Sequence, residues 1–124
     1  MLINDEIYIQ TVDKLIAQGG CSVECNGDCK YNGPNGRHCF AGHLVPDTLK
    51  SSMREGSAQI MLDCLLLEYS REELEMIEHG QRIHDSIAMY SDEAIDLLKE
   101  WRGLLDEYSP KQVNICCGRF VISD

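Results

Sequence analysis

The chain has few of the residues that stiffen or anchor a fold by themselves. Of 124 positions, three are proline, two phenylalanine and one tryptophan. No apolar run approaches the roughly 18 residues that a membrane-spanning helix needs, so no membrane association is expected. Basic residues are scarce: eleven Lys and Arg stand against twenty-one Asp and Glu, for a formal net charge of -10. Phosphate contacts need a basic face, so direct nucleic-acid binding is not expected. The opening residues, Met1 to Glu6, are acidic where an export leader would be basic. With seven cysteines, an odd number, this predicts mostly reduced thiols and a cytoplasmic protein.

What is present suffices for one core. Apolar residues make up 44% of the chain, which argues against disorder and for a single domain over residues 1–124. Asn4 is placed to cap a first helix that ends at Gly19-Gly20 and buries Tyr8, Val12, Leu15 and Ile16. Pro46-Asp47 reads as a helix start, with Asp47 as the cap and Gly56 as the stop. Ala58 to Tyr69 reads as a buried helix with Cys64 in its core, a strand being the alternative for so short an apolar run. Ser70 and Glu73 match a capping box, opening a helix to about Met89. Ser91 caps another to about Tyr108, with Ala94, Leu98, Trp101 and Leu105 on its apolar seam. The tail from Gln112 to Ile122, rich in β-branched and aromatic residues around Gly118, is read as one strand or a short hairpin. The expected fold is α+β and mainly helical: four to five helices packed with a small β-hairpin, plus a strand at the C-terminus.

The densest chemistry lies between Cys21 and Asp47, which holds four of the seven cysteines and two of the four histidines. Gly33-Pro34-Asn35-Gly36 is a turn signal: proline presets φ at the second position, and Asn and Gly tolerate positive φ. Its flanks are expected to pair as two short strands from Cys29 to Phe40. Loop length decides whether Cys29 faces Cys39, because the side-chain period of a strand is two. Three readings of the cysteines stay open. One is a zinc site from Cys21, Cys25, Cys29 and Cys39, with His38 or His43 as substitutes, although the C-x3-C and C-x9-C spacings differ from common zinc knuckles. The second is a nucleophilic Cys39 with His84 and Asp85 as base and orienting group. The third is a set of small buried apolar groups around a tight turn, with no cofactor. The adjacent Cys116 and Cys117 receive no role.

Gln81 and His84 continue the apolar stripe of Leu74, Ile77, Ile87 and Ala88 at helical spacing. Two polar side chains therefore point inward, where each needs a partner. They are expected to hold backbone groups of residues 36–44, with a catalytic or ligand role for His84 as the alternative. Asp85 begins the next face.

The pattern C-x-Y-x-G-P-x-G-x-x-C-x-x-G-x-L-x-P-D is carried here by Cys29, Tyr31, Gly33, Pro34, Gly36, Cys39, Gly42, Leu44, Pro46 and Asp47. It resembles a family of small proteins of tailed bacteriophages and prophages. A later element of that family, with Gln-x-x-His-Asp at its end, is similar to Gln81, His84 and Asp85 here. Members have Arg where this chain has Asn32; Cys21, Cys25 and the tail from Lys111 fall outside the pattern. The resemblance implies a phage origin and residence in the host cytosol, and no mechanism.

Charge is unevenly spread. Residues 68–107 carry twelve acids and four bases, -8 of the total -10. Such a surface either keeps helices solvated or steers a basic partner. Small size, acidity and the phage resemblance favour a non-enzymatic protein that binds and modulates or inhibits a host protein, such as a component of a defence or nucleic-acid-handling system. Glu72, Glu75, Asp92 and Asp96, off the apolar seams, are the expected partner-facing residues. A small zinc-binding module is the alternative, and a cysteine-dependent enzyme the second alternative.

Overall fold

A computed structural model describes residues 1–24 and 29–123. Helix α1 spans Asp5–Ala17, and Asn4 caps it by accepting from the Ile7 amide. Tyr8, Thr11, Val12 and Leu15 are its buried face. Helix α2, Phe40–Leu44, is only five residues long; α3 spans Ala58–Cys64, α4 Arg71–Ala88 and α5 Ala94–Leu104. Strands β1, Val113–Cys116, and β2, Arg119–Ile122, form an antiparallel hairpin. The fold is thus mainly helical α+β, as expected, with its two-stranded ladder at the C-terminal end. Among the described residues no helix is long and apolar enough to cross a membrane.

The capping box at the start of α4 is complete: Glu73 N donates to Ser70 Oγ and Ser70 N to Glu73 Oε1, both at 3.1 Å. The other oxygen of Glu73 accepts from the amides of Leu2 and Ile3. One carboxylate therefore closes the end of α4 and ties the segment before α1 to it. Burial pushes this carboxyl up, but the amides of Ser70, Ile3 and Leu2 outweigh it and hold the group below its ordinary range.

One buried cluster joins all five helices and β1. At its centre the rings of Tyr8 and Phe40 lie 4.8 Å apart, and Trp101 meets Tyr8 edge-on at 5.9 Å. Edge-to-face packing of this kind contributes beyond area burial. The Tyr8 hydroxyl, buried with it, is 2.9 Å from His79 Nδ1. Phe40 crosses α4 at Gly80, where a Cβ would come within 2.3 Å of the ring.

Three expected elements differ. Helix α3 stops at Cys64 rather than Tyr69, because Leu66 adopts φ of 58° and the chain reverses. The Leu66 amide returns to Asp63 O and the Leu67 amide to Leu62 O, a Schellman closure. Cys64, expected in the core, is consequently exposed at the end of the helix. Asp47 is not a cap. It lies inside a 3-10 turn, Asp47–Ser52, which follows Pro46 and begins with Leu49 N donating to Pro46 O. The Ser91 helix likewise opens as a 3-10 turn, Ser91–Glu93, before α5.

Candidate functional site

The turn stands where its residues predict, yet the expected hairpin from Cys29 to Phe40 shrinks to a single antiparallel bridge, Asn32 to His38. The Gly33 amide donates to Arg37 O at 2.8 Å across Pro34–Gly36, in which Asn35 and Gly36 take φ of 61° and 71°. Pairing ends there because Cys39, itself still extended, caps α2, and the helical backbone begins at Phe40; the Cys39 sulfur accepts from the Gly42 amide at 3.4 Å. Cys29 bridges to Val23 instead of facing Cys39. Gly42 is required by contact: a Cβ there would sit 2.5 Å from Tyr31 O. Tyr31 is buried, and its hydroxyl donates to Gly56 O at 2.6 Å. Burial holds that phenol well above its ordinary range.

Two side chains outside the motif complete this segment. Gln18, just past the end of α1, accepts from His38 N at 3.0 Å and donates to His38 O at 2.8 Å. Its amide thus pairs with one residue as a strand would. The same Oε1 lies 2.8 Å from His43 Nε2, which donates to it. Burial, then the nearby His38 and Lys50, lower the His43 pKa to about 3. Lys50 turns its ammonium onto the open end of α2, donating to Gly42 O at 3.0 Å and to His43 O and Val45 O. A cation at a helix C-terminus satisfies carbonyls that the helix itself cannot. Asp47, highly exposed, lies 3.6 Å from it.

Gln81, His84 and Asp85 share one face of α4 at i, i+3 and i+4 and form a continuous network. His84 is fully buried. Its Nε2 accepts from the Ser22 amide at 3.1 Å, so the ring proton resides on Nδ1 and is donated to Asp85 Oδ1 at 2.9 Å. Gln81 Nε2 donates to the same oxygen at 2.8 Å, and Gln81 Oε1 accepts from the Ala41 amide at 2.8 Å. The outcome is a clasp: α4 holds residue 22 through His84 and residue 41 through Gln81, with Asp85 orienting both. Gln81 reaches the expected segment at Ala41; His84 does not, and meets Ser22, which precedes the turn.

The cysteines divide by environment. Cys21 is buried and donates to His84 O at 3.7 Å; burial pushes its thiol up to about 12. Cys39 is buried completely, and burial raises its thiol further. Both are held as neutral thiols, whereas nucleophilic attack needs thiolate. The base expected for Cys39, His84, is engaged elsewhere: its Nε2 accepts from the Ser22 amide and its Nδ1 donates to Asp85. Of the expected zinc ligands, Cys25 lies outside the described residues, and Cys21 and Cys39 join no ligand group among those described. The three donors that do come together are Cys29, His84 and Asp85, within 4.8 Å of one another. A metal at His84 Nδ1 would expel its proton to Nε2, against the Ser22 N–H. The hydrogen bonds of the clasp and a metal at that nitrogen therefore exclude each other.

Glu72, Glu75, Asp92 and Asp96 are all exposed or partly exposed. Glu75 meets Arg71 at 3.5 Å; the other three make no ion pair among the described residues. Compared with known protein families, curated proteins and solved structures, the chain matches none.

Proposed function

We propose that this is a non-enzymatic binding protein, of the phage type its motif resembles, that engages a basic site on a host protein through the acidic surface of α4, the α4–α5 turn and the first turn of α5. The observation that carries the reading is the disposition of Glu72, Glu75, Asp92 and Asp96. They reach solvent, off the buried stripes and largely free of neighbouring bases. The side chains of Cys39, Gln81 and His84, by contrast, are engaged in holding backbone amides. Binding through such a face is steered by charge, which speeds encounter and is screened by salt with a Debye length of about 10 Å at 0.1 M.

The test begins with capture of the partner from host lysate by the purified chain. Association rates are then measured against ionic strength for the wild type and for Glu72→Lys, Glu75→Lys, Asp92→Lys and Asp96→Lys combined. The reading expects slower association with the reversals, a falling rate with salt and an unchanged circular dichroism spectrum. Rates indifferent to both salt and charge reversal would refute it.

A further inference from the structure

Cys116 and Cys117 are adjacent in sequence, exposed, and have their sulfurs 3.8 Å apart. Adjacency does not produce this. Along a strand, successive side chains point to opposite faces. Here Cys116 ends β1 opposite Arg119, and Cys117 with Gly118 forms the two-residue hairpin loop, at φ of 53° and 78°. The left-handed backbone of Cys117 turns its side chain back onto the side of Cys116. Two-residue hairpin loops with positive φ at both positions ordinarily carry Asn-Gly or Asp-Gly. A cysteine in this conformation is strained.

The pair is also held in place. Gly118 packs on the Tyr90 ring so closely that a Cβ would approach it to 3.0 Å. Among the other described thiols, Cys21 and Cys39 are buried, Cys29 is half-buried beside His84 and Asp85, and Cys64, although exposed, sits at the end of α3. Two accessible sulfurs at van der Waals separation, on a fixed turn, suit an acceptor that takes two thiolates at once. Soft, polarisable centres favour such ligands over oxygen and nitrogen donors.

We propose that the tip of the β1–β2 hairpin is a dithiol site for thiophilic trivalent arsenicals, held by Cys116 Sγ and Cys117 Sγ together. With phenylarsine oxide the step is a condensation without change of oxidation state. Two As–S bonds form, the As–O bond breaks, and the oxygen leaves as water with the two thiol protons. The closed ring makes the adduct resistant to single thiols and reversible by a competing dithiol.

The test uses the full reduced chain and phenylarsine oxide, read by intact mass. The expected result is one adduct that survives a large excess of glutathione and is removed by dithiothreitol. It should vanish in Cys116→Ser and in Cys117→Ser and persist in Cys64→Ser. Cys117→Asn, the ordinary residue for this turn, should lose the adduct while melting no lower than the wild type. Absence of a glutathione-resistant adduct on the wild type, or its persistence in either single serine variant, would overturn the proposal.

Discussion

The ring of Phe40 lies directly against the backbone of Gly80, filling the space that a side chain at position 80 would occupy. The first residue of α2 is thereby seated on the middle of α4, next to Tyr8 and Trp101. Glycine inside a helix costs about 1 kcal/mol relative to alanine, so its presence at position 80 reflects what crosses there.

This sets up a comparison of sign. Gly80→Ala gains helix propensity but drives a Cβ into an aromatic ring that cannot retreat, and overpacking of that kind costs typically about 1–3 kcal/mol. At Gly103, in α5, an added Cβ would meet nothing within 4 Å, so Gly103→Ala should stabilise by up to about 1 kcal/mol. Urea denaturation of both variants should move the midpoints in opposite directions.

The clasp offers a second measurement. His84→Ala removes the acceptor of the buried Ser22 amide, at a cost of about 1–3 kcal/mol. Gln81→Ala does the same to the Ala41 amide. Because both side chains donate to one oxygen of Asp85, their effects should be non-additive by more than about 0.5 kcal/mol in a double-mutant cycle. Asp85→Asn keeps an acceptor oxygen for both donors and should cost less than either.

Leu66 holds a left-handed conformation at 89% exposure, where glycine is the usual residue. The left-handed backbone costs a side-chain-bearing residue roughly 1–2 kcal/mol. Leu66→Gly should therefore raise the melting temperature and leave the spectrum of the folded chain unchanged.

His43 supplies a pH dependence. Its pKa falls from 6.5 to about 3 on folding, so the unfolded chain takes up a proton there before the folded chain does. The sign follows from linkage: stability from the neutral ring is complete above about pH 6.5 and declines as pH falls toward 3. His43→Gln keeps a donor for Gln18 Oε1 without titrating. Its loss of stability between pH 7 and pH 4 should be shallower than the wild type's, as read from denaturation midpoints at each pH.

Legibility in the sequence tracks distance along the chain. The caps of α1 and α4 are readable because Asn4 and Ser70 act three residues away. Gln81 and His84 betray themselves as polar positions on an apolar stripe, though their partners, 40 and 62 residues distant, do not. Gln18 and Lys50 leave no such trace: a polar residue after a helix and a lysine in a turn look solvated until folding places backbone beside them. The reach of the hairpin is misjudged because Cys39 caps a helix too short to show periodicity. The approach of the thiols at residues 116 and 117 depends on one backbone angle.

Several attachments made by the first half of the chain end on α4: residues 2 and 3 at Glu73, residue 40 at Gly80, residue 41 at Gln81 and residue 22 at His84. During synthesis, which delivers the N-terminal end first, those residues emerge long before their anchors exist. The growing chain must carry α1 and the cysteine-rich turn without these supports until about residue 88, the end of α4, has left the ribosome. Residues 22, 40 and 41 then dock on that one late helix, whereas α1 waits longer still for α5, against which it packs and to which Asp13 is tied through Arg102.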